Sequence, residues 1–529
     1  MDRLNHRSRR ILVAAGLPVF LLIAVPGLWR PYNFMPDDAM FYLQIARNIA
    51  GGQGSTFNGV MTTNGYHPLW MICCVALFKI FGCWPEVAVR SIVFLQQMLS
   101  LGAVIFFARA LRDFAGKWAL FGAAGFALYL FTGMFCSEAH INAFFCSWAF
   151  YLTVRRADSC RTGRLVLVGA VCGFGVLARL DSIFFLGGLG LYAAWREWEN
   201  NRKPRRLLLL AVSAAIPVVL YFGFNFLNYG HLMPISGAIK STFPAFHWNP
   251  QQISLLGRII FGCMMIGLTA PFWNRRTAGW LPLAVLGVTG HLFYLILFSR
   301  GFTYWSWYYV PGVLLAAAIF SLAAEALSRR LPPIWTGRLC ALAVAGVLGI
   351  VAARGWVKAY NPNAIDYRNP LLIQPKIAEQ SWEREMAFFL RDKLPSGSRI
   401  FMWDIPGIVA FFTNHAIVPS DGLVGNYEFS DRLLASGVGN FLQQEDIHFW
   451  VGPIVEEGQG LERDGAWKIS HSNGVYEIEL FPPLYPDKSA GTFKVFDKDR
   501  IADLREELSH PKTPPVGVWK IRTDDSVPE

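Results

Sequence analysis

Residues 11–29 read ILVAAGLPVFLLIAVPGLW, an apolar run that contains no charged side chain. A transmembrane helix needs about 20 consecutive apolar residues, so this run is long enough to cross a bilayer. It follows a basic segment, residues 1–10, as the core of a signal peptide would. However, it is too long for a signal peptide, and no small-residue cleavage site closes it. We therefore expect an uncleaved first membrane span.

Comparable apolar runs follow until about Trp356, where the composition changes. Charged residues make up only 16% of the chain, against about 25% in a soluble domain. The sequence predicts a polytopic α-helical membrane protein, with a transmembrane domain at residues 1–356 and a soluble α/β domain at residues 357–529. About eleven spans are expected, at residues 11–29, 88–108, 118–134, 141–154, 165–178, 182–195, 207–228, 253–270, 279–298, 308–326 and 338–356.

The loops between these spans differ strongly in charge. Alternate loops hold most of the basic residues, for example Arg155, Arg164 and Arg206, whereas the opposite loops hold few. Because cytoplasmic loops carry the excess of Lys and Arg, the N-terminus is predicted to be cytoplasmic and residues 357–529 to lie outside. The net charge of +11 follows this loop pattern and forms no basic stripe on a soluble element, so we expect no nucleic-acid partner.

Residues 69–83, LWMICCVALFKIFGC, are the exception in this topology. The run is short for a span and includes Lys79. We expect a helix that lies in the outer interface or re-enters it. If it crossed, the basic loops would face outward.

Ionisable residues at membrane depth are costly and usually functional. Here they gather in segments predicted to lie at the outer ends of the spans: Asp37 and Asp38; Glu138 and His140; Arg179 and Asp181; His231 and Lys240; and Arg300. Together they offer acids for base chemistry or metal binding, and cations for binding an anion. The prediction of a site depends on this convergence and not on any one residue.

Each residue taken alone also has a structural interpretation. Asp37 and Asp38 follow Pro36 and are good N-cap residues for the next helix. Arg179 and Asp181 suit an ion pair with each other. Lys240 and Arg300 suit interfacial anchors, and the aromatic run at residues 304–309 suits an interface belt.

The outer segments resemble those of a known superfamily. PDDAMFYLQIARNIAGGQGSTFN (residues 36–58), followed by TTNGYHPLW (62–70), resembles the first loop of the C-type glycosyltransferases. NYGHLMPISGAIK (228–240) and WDIPGIVAFFTNHAIVPSDGLVGNYEF (403–429) are similar to further segments of its members. The likeness is greatest to the cell-wall arabinofuranosyltransferase branch, with lipid A aminoarabinose transferases and protein O-mannosyltransferases more distant. His67 departs from the Ser or Thr common in relatives, which leaves the sugar open.

The resemblance implies an inverting transfer of a sugar from a polyprenyl-phosphate donor to a cell-envelope glycan or lipid, at a bacterial inner membrane. Asp38 or Asp37 would be the catalytic base, and we favour Asp38. Lys240, Arg300 and Arg179 would bind the donor phosphate. Substrate-binding roles fall to Glu138, His140, Asp181, Asn64, Tyr66, His67 and His231. No cofactor is certain; Glu138 or His140 with an Asp leaves a divalent metal open, although we expect no tightly bound one.

In the soluble domain, residues 375–394 predict an amphipathic helix. Residues 399–404, 416–421 and 448–453 predict strands, and a short helix is expected at residues 405–413. Asp404 and Asp421 each end a strand, which is a common place for a binding site, but the interpretation as turn formers is favoured. Two other functional classes remain open: a transporter or flippase of a lipid-linked sugar, and a non-catalytic envelope assembly protein. Transporters usually place polar residues near the midplane on broken helices, which favours the enzyme here.

Overall fold

The computed structural model describes residues 6–131, 134–155, 162–300, 305–329, 331–361, 382–463, 466–508 and 514–522. Its first part is helical. The helices are α1 (His6–Trp29), α2 (Asp37–Ala50), α3 (Pro68–Phe81), α4 (Pro85–Ala115), α5 (Ala119–Phe131), α6 (Ala139–Val154), α7 (Thr162–Ala178), α8 (Ile183–Asn201), α9 (Pro204–Tyr229), α10 (Ile235–Lys240), α11 (Leu255–Trp273), α12 (Leu281–Phe298), α13 (Val310–Ser328) and α14 (Pro333–Tyr360).

Each predicted span falls on one of these helices, namely α1, α4 to α9 and α11 to α14. Within the described residues, six stretches are long and apolar enough to cross a membrane. The protein is therefore a multi-pass membrane protein. The full number of crossings and the orientation stay predictions.

Glycines bring the helices of this bundle close together. A Cβ atom on Gly169 or Gly173 of α7 would lie 2.4 Å from a backbone oxygen of α9, at Leu210 or Ala214. Gly188 of α8 is equally close to the backbone of α12. Small residues four positions apart let membrane helices approach along their backbones. The helices α7, α8, α9 and α12 also line the cavity described below.

Two short helices, α2 and α3, precede the long α4. Helix α2 begins directly after Pro36, with two acids in its first turn and Arg47 in its last, the distribution that the helix dipole favours. Helix α3 occupies most of the predicted interfacial segment and is only 14 residues long, about 21 Å. That is shorter than a bilayer core of about 30 Å. Its interfacial position stays a prediction.

The second part of the chain is an α/β unit, as predicted. Its elements are α15 (Trp382–Lys393), β1 (Arg399–Met402), α16 (Pro406–Phe412), β2 (Ala416–Pro419), α17 (Tyr427–Ser436), α18 (Val438–Gln444), β3 (Phe449–Pro453), β4 (Gly460–Arg463), β5 (Trp467–Ser472), β6 (Val475–Leu480), β7 (Thr492–Phe496), β8 (Arg500–Asp503), α19 (Leu504–Glu507) and β9 (Val516–Lys520). Residues 375–381 of the predicted first helix lie outside the described residues.

These strands form two sheets. The first has the order β2-β1-β3-β9-β8, in which β1 is parallel to both β2 and β3, and β9 is antiparallel to its neighbours. The three strands expected from the sequence are its parallel half. The second sheet, β4-β5-β6-β7, is an antiparallel meander that the sequence analysis missed.

The two parts of the chain share a hydrophobic core. Buried side chains of α2 and α3, such as Leu43 and Trp70, belong to one cluster with Met386 of α15, Val409 of α16 and Ile400 of β1. The α/β unit is therefore packed on α2 and α3, and the loops of the predicted site lie near this junction.

Candidate functional site

A cavity of about 370 Å³ lies where the predicted outer segments meet. Four of those segments contribute charged side chains to its lining, and the aromatic run at residues 304–309 contributes Tyr308. Asp38 comes from α2, Glu138 from the turn before α6, Arg179 from the end of α7, Lys240 from the end of α10, and Tyr308 from the turn before α13. The convergence expected from the sequence is thus present in the fold.

The charged floor of the cavity is a buried ion cluster of three residues, Glu138, Arg179 and Asp181. Nε of Arg179 lies 2.8 Å from Asp181 Oδ1, and its Nη1 donates to Glu138 Oε1. Arg179 is 4% exposed and Glu138 5% exposed. His291 of α12 extends the cluster, with Nε2 3.3 Å from Asp181 Oδ2. One guanidinium therefore pairs with two carboxylates away from water.

The local chain explains how Arg179 reaches two acids. Helix α7 ends at Ala178, and Arg179 is extended with φ −160° and ψ 119°, before a 3-10 turn at Leu180–Ser182. This reversal places Asp181 beside the guanidinium of Arg179. Burial, the largest influence, would raise the pKa of each acid. The Arg179 charge, together with His67 for Glu138, His291 for Asp181 and the hydrogen bonds to each carboxylate, outweighs burial and holds the pKa of both acids below their usual values.

A second set of contacts ties Glu138 to the first outer loop. The Tyr42 hydroxyl donates to Glu138 Oε2 at 3.1 Å and accepts from the backbone N–H of His67 at 3.2 Å. Burial lowers the pKa of His67 to about 4, so the imidazole is neutral near pH 7. His67 therefore lines the cavity as an uncharged hydrogen-bonding group.

Tyr308 lies between the two cations of the cavity. The Arg179 guanidinium carbon is 4.1 Å from the centre of the Tyr308 ring, and Lys240 Nζ is 6.0 Å from it. Such cation–π contacts are attractive by about 0.5–2 kcal/mol, depending on desolvation. The ring therefore holds the Lys240 ammonium on the same side of the cavity as the buried ion cluster.

The adjacent acids Asp37 and Asp38 point to different places. Asp38 lines the cavity. Asp37 accepts hydrogen bonds from the backbone N–H groups of Gly407 and Ile408 in α16, at 3.3 and 2.7 Å. Burial raises the pKa of Asp38, whereas the Lys240 charge lowers it. Only Asp38 is therefore placed to meet a ligand in the cavity.

A second set of lining residues is mainly apolar. It is built from side chains of four helices: Val176 of α7, Ile183 and Phe184 of α8, Val218 and Phe222 of α9, and Tyr294 and Leu295 of α12. Ile183 is 53% exposed on the surface of the bundle. The cavity thus combines charged and apolar lining residues, and at least one of the apolar ones is also exposed, a composition that fits an amphiphile.

Comparison with known proteins gives a family match and several similar structures. Residues 67–221 match the family of dolichyl-phosphate-mannose-protein mannosyltransferases. The apo crystal structure of ArnT from Cupriavidus metallidurans is 14% identical, with a TM-score of 0.54 over 84% of this chain and 92% of ArnT. ArnT bound to undecaprenyl phosphate is 13% identical, with a TM-score of 0.50 over 78% and 86% of the two chains.

A third structure, the arabinofuranosyltransferase AftD from Mycobacteria, is 14% identical with a TM-score of 0.45, over 98% of this chain and 40% of AftD. No curated protein matches the sequence significantly. The chain shares the fold of the C-type membrane glycosyltransferases. The resemblance inferred from the outer segments is confirmed.

Within this C-type fold, several residues predicted for the site lie outside the cavity. Arg300 is exposed, and its Nη1 donates to the Pro483 carbonyl at 3.4 Å. The His231 ring stacks on Tyr427 of α17, with ring centres 3.6 Å apart. Both side chains therefore contact the α/β unit, so neither is placed to bind a ligand in the cavity.

Two further predicted residues are buried in supporting positions. His140 is fully buried, with Nδ1 2.8 Å from Ser100 Oγ. Asn64 Oδ1 accepts from the backbone N–H of Ile235, the first residue of α10, at 2.9 Å. Asn64 thus fixes the start of the helix that ends at Lys240. By contrast, Tyr66, His67 and Asp181 line the cavity.

Many residues that line the cavity were not predicted from the sequence, among them Tyr42, Tyr308 and Leu423. Tyr42 lies four residues after Asp38 on α2, so helical spacing places both on one face and was a usable signal. Tyr308 was hidden in an aromatic run attributed to the interface. Leu423 comes from the turn after β2 in the α/β unit, and only the tertiary fold brings it to the cavity.

The described residues include no group of three or more His, Cys, Asp or Glu side chains placed to hold a metal ion. Asp421 forms the turn expected of it, since its Oδ1 accepts from the backbone N–H of Leu423 at 3.0 Å. Asp404 accepts from the next backbone N–H, that of Ile405, also at 3.0 Å.

Proposed function

We propose that this protein is a membrane glycosyltransferase that moves a sugar from a polyprenyl-phosphate donor to an extracytoplasmic hydroxyl acceptor, with inversion. The observation that carries the proposal is the joint placement of Asp38 and Lys240 on a cavity that is also lined by apolar side chains of four helices. A carboxylate, a cation and a lipid-compatible surface are what such a reaction requires. The fold shared with ArnT, whose crystal structure contains undecaprenyl phosphate, supports the donor class.

In the proposed reaction Asp38 accepts the proton of the acceptor hydroxyl as that oxygen attacks the anomeric carbon. The bond between this carbon and the phosphate oxygen breaks on the opposite face of the sugar, which inverts the configuration. The bond electrons leave with the lipid phosphate, whose charge Lys240 stabilises. A phosphate needs little protonation to leave, so one carboxylate is enough, unlike the pair that a glycosidase uses.

Arg179 contributes less to phosphate binding than the sequence alone suggested. Its charge is already balanced by Glu138 and Asp181 in the buried ion cluster. Its role in the proposal is to fix these acids and, through Tyr308, the position of Lys240. Tyr66 and His67 line the same cavity and are among the neutral polar groups available to bind the sugar.

Replacement of Asp38 by Asn tests the proposal, with polyprenyl-phosphate sugars supplied in detergent micelles. Turnover should fall by about 10²–10⁴-fold, because positioned proton transfer contributes that much. Donor binding, measured separately by equilibrium titration, should change little. Near-normal turnover of Asp38→Asn would refute the assignment of the base.

A transporter or flippase is the competing function, and an assay of lipid movement without acceptor distinguishes the two. In proteoliposomes loaded with a fluorescent polyprenyl-phosphate sugar, a flippase moves the lipid across the bilayer without an acceptor. The proposed enzyme consumes the donor only when an acceptor is present. Acceptor-independent movement of the lipid by the purified wild-type protein would contradict the enzyme assignment.

A further inference from the structure

Helix α16 of the α/β unit lies alongside α2, and side chains at both ends of α2 hold it. At one end, Asp37 accepts from the backbone N–H groups of Gly407 and Ile408. At the other end, Arg47 Nη1 donates to the Phe411 carbonyl at 3.2 Å, and its guanidinium carbon lies 5.1 Å from the centre of the Phe411 ring. The first turn of α2 therefore meets the first turn of α16, and the last turn meets the last.

Gly407 permits this close approach. A Cβ atom at this position would lie 2.6 Å from the backbone oxygen of Asp37 and 2.9 Å from Cδ1 of Phe41. Cβ atoms do not approach a backbone oxygen so closely in folded proteins, so any larger residue must push the two helices apart. The contact between α2 and α16 is thus specified by both partners.

Asp37, which α16 holds, is the direct neighbour of Asp38, which lines the cavity. Successive side chains on an α-helix point about 100° apart, so fixing the direction of Asp37 also fixes the direction of Asp38. We propose that Asp37 is a positioning residue through which the α/β unit sets the rotation of α2, and thereby the aim of Asp38 into the cavity. This inference rests on the proposed function of Asp38.

The proposal assigns different tasks to the two adjacent acids. Both carboxylate oxygens of Asp37 are hydrogen-bonded to backbone N–H groups and turned away from the cavity, so Asp37 needs only to accept hydrogen bonds. Asn retains one oxygen acceptor, which suits the shorter 2.7 Å bond from Ile408. A catalytic base cannot be replaced by Asn, whereas a positioning acceptor can be replaced in part.

The first experiment compares Asp37→Asn with Asp37→Ala in the full-length protein. Turnover of Asp37→Asn should stay within about threefold of wild type, with an unchanged pH profile. In Asp37→Ala, kcat should fall by roughly 10–100-fold with little change in KM for the donor, as expected when a reacting group is misplaced by about 1 Å. Equal and complete loss of turnover in both variants would overturn the proposal.

The second experiment disturbs the same contact from the other side. Gly407→Ala should reduce kcat as Asp37→Ala does, although it leaves both acids intact. Gly439→Ala is the matched control, because a Cβ atom on Gly439 in α18 meets no atom within 4 Å. If Gly407→Ala keeps wild-type turnover, the α/β unit does not position Asp38 and the proposal is wrong.

Hydrogen exchange separates failure of this proposal from failure of the proposed function. The amides of Gly407 and Ile408 should exchange at least about tenfold faster in Asp37→Ala, since they lose their hydrogen bonds to the Asp37 carboxyl group. Faster exchange without loss of turnover would overturn the positioning role and leave the function of Asp38 intact. If Asp38→Asn instead keeps full turnover, the proposed function fails, while the exchange result still reports whether Asp37 holds α16.

Discussion

Removal of Arg179 should destabilise the protein more than removal of either acid it binds. In Arg179→Met the two carboxylates of the buried ion cluster lose their common cation. Breaking a buried pair by removing one partner typically costs about 3–5 kcal/mol, because a charge is left uncompensated. In Glu138→Gln, Arg179 keeps Asp181 at 2.8 Å, and the amide can still accept from Tyr42. Only one charge-assisted hydrogen bond weakens, at a cost of about 1.5–3 kcal/mol.

The assay is equilibrium unfolding in mixed detergent micelles, followed by circular dichroism. We expect Arg179→Met to lose about 2 kcal/mol more than Glu138→Gln, which is more than tenfold in the unfolding constant. The double variant should be more stable than the sum of the two single effects predicts, by about 0.5–3 kcal/mol, since the residues share one network. Arg258→Met, at an exposed position on α11, controls for the loss of a charge. Equal destabilisation by Arg179→Met and Arg258→Met would refute the reasoning.

Three further predictions concern the donor phosphate and the topology. Lys240→Ala should weaken donor binding. Arg300→Ala should leave the donor affinity within about twofold, because the Arg300 side chain contacts Pro483 outside the cavity. Competition binding with a polyprenyl phosphate measures the affinity of both variants, and equal losses would contradict the phosphate role of Lys240. Reporter fusions after Arg206 and after Glu529 should report opposite sides of the membrane, and matching sides would break the predicted topology. The helix α3 lies between two exposed positions, Val60 and the native Cys83. A single cysteine at either position, in an otherwise cysteine-free protein, should be labelled from outside. Labelling of one of them from inside would show that α3 crosses the membrane.

The sequence predicted the helical part of the fold well because the signal for a membrane span is local. Residues 207–228 predict a span by composition alone, and α9 covers them. The convergence of Asp38, Glu138, Arg179 and Lys240 was also predictable, because loops on one side of a membrane are confined to one layer. The direction of each side chain was not predictable. The backbone N–H of Arg300 donates to the Lys240 carbonyl, yet the Arg300 side chain turns toward Pro483.

The second sheet was missed although it had a usable pattern. Residues 467–472, WKISHS, alternate strictly between buried and exposed positions in β5, the period expected of a strand with one covered face. The contact of Asp37 with α16 had no such pattern. It depends on residues 370 positions apart in the chain, and an acid after Pro36 reads equally well as a local helix cap.

The charges around Asp38 lead to a prediction about pH. A base must be ionised, so turnover should fall as the pH drops through the pKa of Asp38. Burial raises that pKa, and the Lys240 ammonium lowers it. A bound donor brings phosphate charge next to Lys240, which offsets the effect of the ammonium on Asp38. The pKa of Asp38 should therefore be higher in the enzyme–donor complex than in the free enzyme.

The two pKa values are separable by kinetics, because kcat/KM reports the free enzyme and kcat reports the complex. With acceptor saturating and donor varied, the acid limb of kcat should lie at higher pH than that of kcat/KM. In Lys240→Ala the charge that lowers the pKa of Asp38 in the free enzyme is gone. The acid limb of kcat/KM should therefore move to higher pH, and the pH difference between the two acid limbs should become smaller. A limb of kcat/KM that stays in place in Lys240→Ala would show that Lys240 does not act on the base, and that the residue responsible for the acid limb is not Asp38.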